Sequence, residues 1–213
     1  MKLKLVITPL LTLVLCILIL SKWTYGFKAF TVFSYALEKS QPRTKELPKI
    51  QLHNQDSIPV DIHTINKYKL INFVYLDCPF VCHKVNNQLE AIYHLMDSVN
   101  MLPEIELITI SFDIENDNIR KIKNYRSHFE DIEGWDFAIP TNTNQKDFNI
   151  FLNEIGVWIN KSSINGIINH SSNLYLISPK NKIMELFDPN RENYQAIFIK
   201  IQQCLSNQKT TFL

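Results

Sequence analysis

The sequence predicts an α/β domain whose sheet is largely parallel and covered by helices on both faces. Three observations predict it. Short apolar runs around residues 70–76, 105–112 and 137–139 alternate with stretches whose apolar residues recur every three or four positions. The chain ends in a strand pair followed by one more amphipathic stretch. A pair of cysteines, Cys78 and Cys82, stands where the first major strand hands over to a helix.

In chain order, Met1-Lys2-Leu3-Lys4 precedes an uncharged run from Leu5 to Ser21, 17 residues, followed by Lys22-Trp23-Thr24-Tyr25. That length is the lower limit for a helix crossing a bilayer, and Trp23 and Tyr25 suit its interface. Residues 1–26 are therefore expected to be an uncleaved N-terminal transmembrane anchor. A cleavable leader lacks a small-x-small site after Leu20, and lipidation at Cys16 lacks small residues before it. Residues 27–49, with Pro42 and Pro48, read as a linker, and residues 50–213 as the folded domain.

Within that domain, Asn54-Gln55-Asp56-Ser57 marks a turn between extended pieces near Leu52 and Val60. The run 70–76 reads as a buried strand. Val85, Leu89, Ile92, Met96 and Val99 form one helical face. Ile105 to Phe112 is a second strand, and Ile119, Ile122 and Phe129 mark another helix. A short strand at Phe137–Ile139 leads to a helix from about Lys146 to Ile155, and 157–169 reads as a loop. Leu174–Ile177 and Lys182–Phe187 form a hairpin, and Tyr194, Ile197, Phe198, Ile201 and Leu205 face the core from a final helix. With cysteines opening the first major helix, this arrangement is thioredoxin-like.

The formal net charge is +1, so nothing points to a nucleic-acid partner. Four cysteines are too few for a disulfide scaffold; Cys16 and Cys204 read as structural. For Cys78-Pro79-Phe80-Val81-Cys82, three readings stay open: a metal site, a redox disulfide and simple packing. A helix N-terminus favours thiolates, and Pro79 suits its first position. A disulfide needs the Cβ atoms about 4 Å apart, closer than four residues of regular helix bring them. Two thiolates on a tetrahedral ion stand roughly 3.7 Å apart without an S–S bond, so CxxxC fits a metal more easily. His170, just before the strand predicted to neighbour the cysteine-bearing one, is the best-placed histidine. His83 adjoins Cys82 but lies about 100° around the helix. His94 and His128 read as surface residues, and His53 and His63 carry no motif.

Three segments then stand in a telling order. Asn72 to Cys82, Ser111-Phe112-Asp113-Ile114-Glu115-Asn116-Asp117, and His170-Ser171-Ser172 through Ser178-Pro179-Lys180 together resemble the SCO/SenC family of copper-binding, thioredoxin-fold proteins. The resemblance covers about residues 50–205. It implies copper, as Cu(I) and Cu(II), held by Cys78, Cys82 and His170, with zinc a lesser alternative. Asp113 matches the family's acidic position, which implies a role behind the ligands or at a partner surface, with a helix-capping aspartate as the equal alternative. Asp77 and His83 are further candidates beside the ligands, and Asp117 reads as the cap of the next helix. Where the family often has threonine or serine this chain has Asp77, and His83 replaces a common proline.

By that resemblance the chain would be a membrane-tethered metallochaperone. Its partner would be the cytochrome c oxidase subunit carrying the dinuclear copper centre, or another copper or thiol protein. The location implied is a bacterial inner membrane, single-pass, with the domain on the periplasmic side. The alternatives are a thiol–disulfide oxidoreductase cycling Cys78 and Cys82, which would be an enzyme, and a peroxide-sensing protein of the same fold.

Overall fold

The computed structural model describes residues 2–24, 26–27, 46–78, 81–129, 132–161 and 168–211. Pro79 and most of the expected linker lie outside them. The chain divides into two compact units, Met1–Gln41 and Pro42–Leu213.

The first unit carries helix α1, Lys2–Trp23. Ile7, Leu10, Leu13, Leu15 and Leu18 are among its solvent-exposed apolar side chains. Among the described residues, however, no helix is long and apolar enough to cross a membrane. The expected transmembrane anchor is thus not supported. The uncharged run, 17 residues long, only just reaches the lower limit for a span, and Lys2, Lys4 and Lys22 of the same helix bound it.

The second unit is built on a seven-stranded sheet. Its strands are β1 (Leu52–Asn54), β2 (Pro59–Val60), β3 (Tyr68–Val74), β4 (Ile105–Ser111), β5 (Trp135–Pro140), β8 (Leu174–Ile177) and β9 (Ile183–Phe187). They lie in the order β2-β1-β5-β4-β3-β8-β9. The central β3, β4 and β5 are parallel, and β8 and β1 add antiparallel neighbours on either side. Helices α2 (Val81–Ser98), α3 (Ile119–Arg126), α4 (Gln145–Glu154) and α5 (Tyr194–Thr211) cover this sheet.

Strand alternation sends side chains to two cores. Ile71, Phe73, Ile108 and Ile110 pack with Phe148, Phe151 and Leu152 of α4. Leu70, Leu107, Phe137 and Leu176 pack with the faces of α2, α3 and α5, namely Leu89 and Ile92, Ile122 and Tyr125, and Ile197 and Ile201. These are the helical faces expected from the spacing, with two exceptions: Phe129, though buried, lies on a 3-10 turn (Ser127–Phe129) beyond α3, and Val99 lies beyond α2. Val99 is 47 % exposed, because α2 stops at Ser98 and Asn100 turns the chain with a positive φ of 57°.

The segment 157–169 is not the expected loop throughout. It contains a small antiparallel ribbon, β6 (Ile159–Lys161) and β7 (Ile168–His170), in which Ile159 pairs with His170. Three-residue strands carry too little periodicity to be read from sequence.

Buried polar side chains tie the second core together. Asn72 Nδ2 of β3 donates to Asn86 Oδ1 of α2 at 2.6 Å, and Asn86 Nδ2 donates to the Tyr125 hydroxyl of α3 at 3.1 Å. Thr109 Oγ1 of β4 donates to Asn72 Oδ1 at 2.7 Å and accepts from Trp135 Nε1 of β5 at 2.9 Å. Three strands and two helices are thereby fixed in register with one another.

Candidate metal and thiol site

Cys78 follows the C-terminal end of β3, the end of a parallel strand at which open α/β sheets place their sites. Its amide donates to the Tyr75 carbonyl at 3.2 Å, closing a turn. The residue is 7 % exposed and packs in the cluster that holds Tyr75 and Phe112. Helix α2 begins three residues later at Val81, so Cys82 sits in its first turn. The side chain of Cys82 lies outside the described residues.

The turn before Cys78 is held from the next strand. Asp117 Oδ2 accepts the Leu76 amide at 3.0 Å and the Ser111 hydroxyl at 2.5 Å. Asp117 therefore does not cap the following helix as expected; Asn118 does, its side chain accepting from the Lys121 amide. An aspartate one residue earlier points back to the sheet end, where its carboxylate satisfies two donors. Burial pushes the Asp117 carboxyl above the usual carboxylate range, against the lowering effect of the Ser111 and Leu76 hydrogen bonds.

Asp77, the carboxylate next to Cys78 in the chain, is exposed and paired with Lys121 Nζ at 2.9 Å. That ammonium also stands 3.9 Å from Asp117 Oδ1. The hydrogen bond to Asp77 raises the Lys121 pKa. Asp77 is thus charge-compensated from α3. Asp113 is buried at 5 % exposure, and its Oδ2 accepts from Asn116 Nδ2 at 2.9 Å.

His170 ends β7. Its ring centroid lies 4.9 Å from that of Phe112 and 5.7 Å, edge-on, from that of Tyr75. Tyr75 and Phe112 are themselves 5.5 Å apart. His170 Nδ1 donates to the Ser171 carbonyl at 2.9 Å, which leaves the lone pair of the neutral ring on Nε2. Ser171 is in turn clamped to Trp158 by two bonds, amide to carbonyl at 2.9 Å and Trp158 amide to hydroxyl at 3.0 Å. Because β8 runs antiparallel to β3 with Asn72 opposite Leu174, the residues before β8 run alongside the end of β3.

His170 thus packs on the aromatic pair Tyr75 and Phe112, and Cys78 belongs to the same apolar cluster as that pair. His83 is not among them: its ring packs on Tyr125, His128 and Phe129, toward α3. Among the described residues, no three His, Cys, Asp or Glu side chains are grouped to hold a metal ion.

Sequence reasoning missed Tyr75, Phe112, Ser111 and Lys121 as parts of the site. Tyr75 and Phe112 read as ordinary ends of apolar strands. The 44-residue separation of Lys121 from Asp77 left no local signal.

A central parallel sheet with antiparallel borders, a cysteine at a strand-to-helix turn and a histidine beside the next strand define a thioredoxin-like protein. The SCO1/SenC family pattern matches residues 38–206. The chain belongs to the SCO1/SenC family. It is 22 % identical over 193 residues to the mitochondrial protein SCO2 homolog of Danio rerio, covering 80 % of this chain and 62 % of that protein. Copper-bound ScoI of Arabidopsis thaliana superposes with a TM-score of 0.65 at 16 % identity, over 76 % of this chain and 99 % of the other. BsSco, described with a disulfide switch and as a member of the Sco family of cytochrome c oxidase assembly proteins, superposes with a TM-score of 0.65 at 20 % identity. That match covers 76 % of this chain and 95 % of BsSco.

Proposed function

We propose that this chain is a copper-carrying protein serving assembly of the dinuclear copper centre of cytochrome c oxidase. Cys78, Cys82 and His170 would hold the ion as cargo. The observation that carries this reading is the setting of His170. A ligating imidazole characteristically donates its other N–H to a backbone carbonyl, which fixes the tautomer and orients the ring. The Nδ1 contact to the Ser171 carbonyl supplies that arrangement. The buried Cys78 sulfur provides a soft donor in largely apolar surroundings, and thiolate with imidazole suits copper, Cu(I) in particular.

The remaining residues prepare the site. Asp117 and Ser111 anchor the turn that presents Cys78. Lys121 offsets the carboxylate of Asp77 beside it. Tyr75 and Phe112 limit the access of water to His170. Asp113 would contribute by ordering the segment 113–117 through Asn116. The exposed apolar α1 is the part through which the domain would be held at a membrane, the inner membrane of a bacterium in this reading. The copper-bound ScoI and the assembly role described for BsSco support the cargo and the partner proposed here.

Anaerobic titration of the reduced chain with Cu(I) and Cu(II) tests the reading. One ion is expected per chain, with thiolate-to-Cu(II) charge-transfer absorption, and Cys78→Ser or His170→Ala should each weaken it at least ten-fold. Wild-type affinity in His170→Ala would remove the metal reading. It would leave Cys78 and Cys82 as a dithiol whose reduction of partner cysteines is then the function to measure.

A further inference from the structure

We propose a second metal-binding site, formed by His83 of α2 and His128 of the single 3-10 turn that follows α3, for a divalent ion of the zinc and copper(II) class. It rests on its own geometry and not on the cargo reading above.

The two rings have centroids 6.0 Å apart and an interplanar angle of 68°. Two imidazoles bound to one ion through bonds of about 2.0 Å at a tetrahedral angle bring their centroids to about 5 Å, and wider angles to about 6 Å. The observed separation thus needs at most about 1 Å of closure, which a small adjustment of the exposed His83 ring supplies while His128 stays in place. His128 Nδ1 donates to the Tyr125 carbonyl at 3.1 Å. This puts the lone pair of the neutral ring on Nε2 and holds the ring in place, as for a ligating histidine. His83 is steadied from beneath, its ring 5.1 Å from Tyr125 and 6.4 Å from Phe129, nearly parallel to the latter at 27°. Tyr125 and Phe129 are themselves buried in the core. Two exposed imidazoles are therefore presented side by side on a rigid aromatic floor, while solvent can fill the remaining coordination positions. Binding through both rings is a chelate, so the second contact forms at high effective concentration.

The test uses the full chain carrying Cys78→Ser, Cys82→Ser and His170→Ala, which removes the site proposed above. Zn2+ is the probe, because it is redox-inert. Histidine ring resonances are followed by NMR, with His53, His63 and His94 as internal references. His83 and His128 are expected to shift together along one saturation curve, at Zn2+ concentrations at least ten-fold below those that move the references. Adding His128→Ala should abolish the His83 response in that range, and His83→Ala should abolish that of His128. Either ring responding unchanged without the other, or both responding only with the references, overturns the proposal.

Discussion

At the scale of single residues, Asp117 shows how a buried carboxylate serves a site it does not enter. It bonds the Leu76 amide and the Ser111 hydroxyl, so the turn ahead of Cys78 is fastened to the end of β4. Burial raises its pKa. The folded protein thus binds a proton at Asp117 more readily than the unfolded chain. The resulting stabilisation is full below the unfolded value near 3.8 and is lost as pH rises through the folded pKa. Asp117→Asn, which keeps an acceptor for Leu76 but cannot ionise, isolates this effect. Urea denaturation at pH 4 and pH 7 should show the stability of Asp117→Asn rising relative to wild type at the higher pH. An unchanged difference between the two proteins would contradict the assignment.

At the scale of elements, α2 is anchored by both faces of its chemistry. Leu89, Ile92 and Met96 are fully buried, as their spacing requires. Asn86, on the same side, is equally buried and joins β3 to α3 through Asn72 and Tyr125. Polar residues at core positions look like errors of pattern in a sequence, and their meaning emerges only with their partners. Asn86→Ala removes the acceptor of the buried Asn72 Nδ2. The expected cost is about 1–3 kcal/mol in chemical denaturation. Asn87→Ala, one residue on and exposed, should fall within about 0.5 kcal/mol of wild type.

At the scale of the whole molecule, Lys69 joins parts of the second unit that lie far apart in sequence. It is fully buried on β3, yet its ammonium donates to the Ile65 carbonyl at 2.9 Å and to Asn181 Oδ1 at 2.7 Å. Asn181 also donates to the His63 carbonyl and accepts the Leu47 amide. Burial lowers the Lys69 pKa below 10.5. Between the folded and unfolded values the unfolded chain binds more protons, so this group adds stability as pH rises. Wild type should gain stability relative to Lys69→Met across that alkaline window, read by thermal or urea unfolding. The exposed apolar α1 sets a second expectation at this scale. The full chain should co-float with phospholipid vesicles, and a fragment of residues 42–213 should remain in solution; equal behaviour would argue against attachment through α1.

The alternation of strand and helix, and the apolar faces of α2 and α5, were legible because burial imposes periods of two and of about 3.6 on the residues themselves. The resemblance of three ordered motifs likewise drew attention to Cys78 and His170; in the structure His170 packs on Tyr75 and Phe112, and Cys78 belongs to the apolar cluster that contains that pair. The ribbon ending at His170, the redirection of Asp117, the pairing of Asp77 with Lys121 and the meeting of His83 with His128 were not legible. Each is a contact between segments far apart in the chain or a choice of direction at a turn. The sequence by itself determined the class of fold and which residues are candidates for the chemistry, because hydrophobic periodicity and donor type are local properties. Only the tertiary structure decided which charges are compensated and which rings face one another, because those depend on distances that chain order does not encode.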